Sequence, residues 1–340
     1  MARQTKRFVS NDDFTGEIIK ALQQVQRYSG RRAPEIFGDW LSLTDATLEA
    51  LPAQVRHLGR TGEPAPDPPE TAELFGRIRS RYAQTGRGSG RAHRKIWTEG
   101  FGQAFALLLE SSAGGLHDRV GAMGPDVLGH VYMTWANTDP GWRGQYFTPY
   151  NLAYLMASMS VPDGEREVHD RVKAALLHPD NVWGQAVLLT SMLLPDGESA
   201  RDYYFTTVLP AALPWYEKIM FNEPAIGSGT IMLAAAAKYP DWANYWGLIS
   251  YTGQDLDKDC VRMARINAKL YGLNGYGARL HTAAVEAMQA QQQRTVSLPL
   301  AKPLETLNAL QETIPRPTFQ HMFGPVPEEV DCGTEVAGRL

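Results

Sequence analysis

Two short apolar runs, each leading into a helical stretch, constrain this chain more than any other feature of it. Lys218-Ile-Met-Phe-Asn222 and Gly247-Leu-Ile-Ser-Tyr-Thr252 stop at polar or glycine positions and have the continuous apolarity of parallel strands buried on both faces. Helical spacing follows the first from Thr230 to about Lys238 and the second from about Lys258 to Leu270. Strands of like direction joined through helices form one sheet with helices laid on its faces. The β-α-β-α order therefore predicts a doubly wound α/β sheet.

The rest of the chain reads as helix. Phe14, Ile18, Leu22 and Val25 fall at helical intervals behind Ser10, Asn11 and Asp12 as candidate caps, and Trp97, Phe101, Phe105 and Leu108 repeat the pattern, as do Val127, Val131, Tyr132 and Trp135. The proline-rich stretch Thr61 to Glu70 is a loop. Residues 1–145 are thus expected to form a mostly helical domain with a basic loop over 77–95. Residues 146–297 carry the α/β part with a helical insertion over 161–213, and residues 298–340 form a proline-rich, acidic C-terminal segment.

Composition narrows the function classes. With 33 Lys and Arg against 37 Asp and Glu the formal net charge is −4, so any nucleic-acid partner has to be held by a local patch. No apolar run approaches the roughly 18 residues of a membrane helix, and the start, Met1 to Arg7, runs into acidic residues rather than an apolar core, so neither membrane span nor signal peptide is expected. Cys260 and Cys332 are too few for a disulfide framework, which fits a cytoplasmic protein. The eight histidines show no metal-ligand spacing, and no metal is expected.

Chemistry concentrates where the first run meets its helix. Phe221-Asn-Glu-Pro-Ala-Ile-Gly-Ser-Gly-Thr230 places the Glu223 carboxylate at a strand end, then a Gly227-Ser228-Gly229 turn that lets a ligand approach backbone without a Cβ in the way, then a helix N-terminus with unpaired N–H donors. The alternative is a tight strand-to-helix turn and nothing more. A phosphate loop lacks its lysine here, and a dinucleotide loop lacks its third glycine. Asp255, in Gly253-Gln-Asp-Leu-Asp257, stands at the tip of the second run, where a carboxylate accepts hydrogen bonds from both hydroxyls of a ribose. It could instead cap the helix that begins near Asp257. Thr148-Pro149 reads as an N-cap and first-turn proline opening the helix that carries Leu152, Leu155 and Met156, while Tyr146 and Phe147 read first as core aromatics and second as a stacking surface.

Gly144-Gln-Tyr-Phe-Thr-Pro149, Glu223-Pro-Ala-Ile-Gly-Ser-Gly229 and Gly253-Gln-Asp-Leu-Asp257, with Ala264-Arg-Ile-Asn267 and Gly272, follow one another in an order that resembles the modification subunit of type I restriction-modification systems and the related N6-adenine DNA methyltransferases. The resemblance runs from about 125 to 285. It implies a Rossmann-like, S-adenosylmethionine-dependent methyltransferase sheet preceded by a helical N-terminal domain. It also implies that Tyr146, Phe147, Thr148, Pro149, Glu223, Pro224, Ala225, Gly227, Ser228, Gly229, Asp255 and Leu256 hold the cofactor, with DNA as substrate and a specificity subunit as partner.

The chain departs from that pattern at its catalytic step. Such an enzyme holds a flipped adenine with an Asn or Asp, Pro, Pro, aromatic loop. The one Pro-Pro here lies in Asp67-Pro68-Pro69-Glu70, ahead of the cofactor motifs, and the best match by position, Leu300-Ala-Lys-Pro-Leu304, has neither an amide acceptor nor an aromatic plate. The third strand region, Leu280 to Val285, also lacks the acidic residue that usually faces the cofactor adenine, with Glu286 as a stand-in. Catalytic residues are therefore not assigned. The isolated chain is expected to be weakly active or inactive, its site degenerate or completed by another chain. The alternative is a non-enzymatic DNA- or partner-binding module, an accessory or decoy. For DNA the candidate contacts are Arg87, Arg91, Arg94 and Lys95, within the stretch Arg77 to Lys95 that has no acidic residue, and a solvated basic helix face is the competing reading.

Overall fold

The fold is known from a computed structural model that describes residues 11–83, 91–113, 115–116, 124–137, 146–193 and 197–297. The chain divides into two compact units, Met1–Gln291 and Gln292–Leu340, and the first carries the fold. Four long helices open it: α1 (Asn11–Ser29), α2 (Ala33–Thr61), α3 (Pro69–Ala83) and α4 (Arg91–Ser112). A short α5 (Val127–Val131) continues into a π-helical turn over Tyr132–Ala136. Then come α6 (Tyr150–Ser160), α7 (Gly164–Leu176), α8 (Val182–Ser191), α9 (Glu198–Tyr203), a second π turn over Tyr204–Val208, and α10 (Leu209–Ala212). The α/β part follows as β1 (Ile219–Glu223), α11 (Thr230–Ala236), α12 (Asp241–Tyr245), β2 (Ile249–Gly253), α13 (Lys258–Leu270) and α14 (Tyr276–Ser297).

The doubly wound, Rossmann-like sheet is not formed. Among the described residues the sheet consists of β1 and β2 alone, paired in parallel with Ile219 opposite Ile249 and Glu223 opposite Gly253. The stretch 280–285, a third strand by the sequence reading, lies inside α14. Its neighbours explain this, since Ala278, Ala283, Ala284, Ala287, Gln289 and Ala290 favour helix far more than strand. Helix α14 also has a partner, because Arg56 of α2 donates to Glu286 at 2.6 Å. Glu286 is therefore an ion-pair partner of α2.

Two large apolar cores and a small third one hold the unit. One joins α1, α2, α4 and α5 around Ile18, Leu22, Phe37, Trp40, Leu108 and Leu128, and the other surrounds β1 and β2 with Leu176, Leu209, Leu233 and Ile249. Helix α13 belongs to both: Cys260, Met263 and Ile266 face the first and Ala264 the second, as 3.6-residue periodicity allows for residues on different sides of one helix. Helix α6 lays Tyr150, Ala153 and Ala157 on Ala234 and Ala235 of α11, where small residues let the two helices approach. No described helix is long and apolar enough to cross a membrane.

A close helix–helix contact is at Gly59 of α2, where a Cβ would stand 2.2 Å from Ala287 Cα on α14. Backbone cannot yield as a flexible side chain would. Gly59→Ala is expected to push the helices apart and lower the unfolding free energy by about 1–3 kcal/mol, read from the urea midpoint at unchanged m-value.

Candidate functional site

The carboxyl ends of β1 and β2 lie side by side, and the turn after each is tied to the other. Gln254 N–H donates to Glu223 O at 3.1 Å and Ile226 N–H to Gln254 O at 2.9 Å. Glu223 closes its own turn by accepting from Ala225 N–H at 3.2 Å. Gly227 and Gly229 sit at φ +54° and +94°, left-handed conformations that explain both glycines. A Cβ on Gly227 would also stand 3.2 Å from the Phe147 ring.

Asp255 is the link between the strand tips. Its Oδ2 accepts from Gly227 N–H at 3.0 Å and its Oδ1 from Asp257 N–H at 2.9 Å, and each oxygen keeps a lone pair for a further donor. It does not cap α13; Asp257 does, accepting from Asp259 N–H at 2.8 Å. Asp255, Gly227 and Phe147, from segments 28 and 80 residues apart by number, meet at one surface.

The segment before α6 differs in detail from its sequence reading. Pro149, not Thr148, occupies the N-cap position, with no side-chain capping bond, while Leu152 and Ala153 N–H groups donate to Pro149 O at 3.0 Å. Proline arrives there already held near φ −55°. Tyr146 is 74% exposed and so not a core aromatic, whereas Phe147 stacks on the buried Tyr132 with ring centroids 5.5 Å apart. Pro224, Ala225 and Leu256 are exposed around the glycine turn.

Ser228 faces inward. Its hydroxyl is buried and donates to Asp126, a carboxylate only 2% exposed that sits at the N-cap of α5. Asp126 also accepts from Gly129 N–H at 2.9 Å, Thr230 Oγ1 at 2.6 Å and Asn267 Nδ2 at 2.9 Å, and Asn267 reaches Ser228 O at 2.9 Å as well. Sequence reasoning missed Asp126, whose one local signal, Gly-Pro-Asp ahead of a helical apolar run, reads as a cap only. The Ser228 side chain is thus committed to the scaffold, and its backbone lines the turn.

The electrostatics are acidic. Burial first, then the carboxylates of Asp255, Asp257, Asp259 and Asp126, push the Cys260 thiol far above its usual range, so it is no nucleophile. At the glycine turn itself the Asp255 carboxylate on Gly227 N–H and the Glu223 carboxylate on Ala225 N–H disfavour a phosphate and favour a cation or a ligand rich in hydroxyl donors. Among the described residues no three His, Cys, Asp or Glu side chains are grouped to hold a metal. A cleft of about 240 Å³ between α7, α8 and α9, lined by His169, Lys173 and Tyr204 among others, shares no residue with the glycine turn.

Of the DNA candidates, Arg87 lies outside the described residues, and Arg91, Arg94 and Lys95 belong to α4 by backbone only. Arg81, in the same basic stretch, is spent on an ion pair with buried Asp39 at 2.6 Å. The segment 300–304 also lies outside the described residues. No family model, curated protein or solved structure matches the chain.

Removing the Asp126 carboxylate strands several buried donors at once. Asp126→Ala should cost about 3–5 kcal/mol of stability, against about 1–2 kcal/mol for Ser228→Ala, which removes one donor and leaves the acceptor served by the others. Denaturant unfolding of both variants checks the order.

Proposed function

We propose that the chain binds S-adenosylmethionine at the paired tips of β1 and β2, on a scaffold of one parallel β-α-β unit rather than a wound sheet. The observation that carries this reading is the meeting of Asp255, the left-handed Gly227 turn and Phe147 at one acidic surface. Asp255 would accept from the ribose hydroxyls, the glycine turn would pass the ligand close to backbone, and Glu223 with the other carboxylates would favour a sulfonium over a phosphate. Phe147 stands beside that turn, and the Tyr146 to Pro149 segment would close over the methionine end of the cofactor, as the family resemblance implies. DNA as the methyl acceptor rests on the motif order and on the basic stretch Arg77 to Lys95.

The site is open on one side, with Tyr146 and Leu256 in solvent, whereas small-ligand sites commonly bury most of their ligand. Weak binding by the chain alone and completion by a second polypeptide follow from that. A DNA- or partner-binding module without catalysis is the second reading, supported by the lack of an adenine-holding loop in the sequence.

Titration calorimetry with S-adenosylmethionine up to millimolar concentration is the direct test. Heat of binding is expected, weaker for S-adenosylhomocysteine, whose sulfur is neutral. Asp255→Ala should weaken binding by about 1.5–3 kcal/mol, with its melting temperature measured alongside because the turn loses the Gly227 bond. A folded protein with no binding heat sinks the proposal.

Methyl transfer is a separate matter. Tritiated cofactor with mixed-sequence DNA should show little incorporation by the isolated chain, since no loop in the sequence can hold the amino nitrogen about 3–3.5 Å from the methyl group. Incorporation well above that of Asp255→Ala would show a competent site in this chain.

A further inference from the structure

Helix α8 turns an apolar stripe to solvent. Val182 is 75% exposed, Leu189 67% and Leu193 83%, and Ala186 is exposed between them. Their spacing of four, three and four residues is the seam of a helix that packs against another helix at a shallow angle. Met192 keeps helical angles, φ −70° and ψ −14°, so Leu193 continues the stripe past the last turn. Trp183, 66% exposed, and Met192, 71% exposed, flank it.

This face is held rigidly from behind. Gly184 and Val187 are buried on the opposite side, and the Asn181 side chain anchors the start of the helix, donating to Ala175 O at 2.9 Å and Ala211 O at 3.0 Å while accepting from Gly184 N–H at 2.8 Å. The stripe and its flanks leave on the order of 700 Å² of mainly apolar surface in water, above the roughly 300–600 Å² of the largest patch on an ordinary monomer and near the ~800 Å² each partner contributes to a stable interface.

We propose that this face is the interface of a homodimer, α8 packing antiparallel on α8 of a second copy. Two features of the stripe single out a second copy. From Asn181 to Leu193 there is no charged residue, so the face meets itself without like-charge repulsion, as an isologous contact requires. A twofold axis midway along the stripe sets Val182 against Leu193 of the second copy and Ala186 against its Leu189, a large side chain meeting the smallest one, and it opposes the two helix dipoles. Parallel pairing would set Ala186 on Ala186 and leave a gap. The interface shares no residue with the cofactor candidate and does not depend on it.

Sedimentation of the full chain across concentration should give a species of twice 37.7 kDa. Leu189→Glu with Leu193→Glu, both exposed in the protomer, should raise the dissociation constant at least about 100-fold with an unchanged circular dichroism spectrum. If that pair fails to fold, Leu193→Glu alone, beyond the last turn of α8, carries the test. In a Cys332→Ser background, Val182→Cys and Leu193→Cys chains mixed and oxidised should form a disulfide dimer that neither forms alone. A monomer up to about 100 μM, or a dimer that survives the glutamates and falls apart with Met159→Glu on α6, overturns the proposal.

Discussion

Asp126 is buried with no cation among its hydrogen-bond partners. Withdrawing a carboxylate from water costs several kcal/mol, and the four donors that meet it, Gly129 N–H, Ser228, Thr230 and Asn267, offset that cost only while all are in position. These donors come from α5, the glycine turn, the start of α11 and the middle of α13. One buried charge thereby locks the helical N-terminal part to the β-α-β unit. It also fixes which way the glycine turn faces, since Ser228 inward leaves the Gly227 backbone outward, toward Asp255 and Phe147.

A two-stranded parallel sheet is unusual, because parallel strands are normally covered on both faces and flanked by further strands. Here helices take over the missing roles. Helix α6 covers one side of β1 through Tyr154, Phe221 and the α11 alanines, and Leu209, Leu176 and Leu248 supply the other core. Met220 of β1 remains two-thirds exposed. Both the proposed cofactor face and the α8 stripe are surfaces that a lone protomer leaves wet, and they lie on different elements, so ligand binding and self-association are separable properties.

The acidic setting of the glycine turn bears on ligand class more than the glycines do. Glycine turns before helices serve phosphates in many folds, where the helix N-terminus and a lysine supply positive potential. In this chain Glu223 and Asp255 accept hydrogen bonds from the turn itself, while Asp257 and Asp259 stand at the start of α13, where Arg262 is paired with Asp259 at 3.0 Å. The balance favours a ligand that brings hydroxyl donors and a positive centre, which is the chemistry of the proposed cofactor.

Local pattern decided much of this protein. The apolar runs became β1 and β2 within two residues of their expected limits, α13 runs from Lys258 to Leu270 as read, and the Gly-Ser-Gly turn and Asp255 occupy the strand tips. Periodicity and turn chemistry carry such information because they act within a few residues. The count of strands was decided elsewhere: residues 280–285 are apolar enough for a strand, but an alanine-rich context and the fit of Ala287 against Gly59 make them helix. Thr148 gave up the cap to Pro149, and Tyr146 went to solvent while Phe147 found Tyr132. Asp126 could be read as a cap and nothing more, because the partners that make it the hub stand 102 and 141 residues away. Only the packing of two cores around α13 brings those residues together, and no local spacing encodes that meeting.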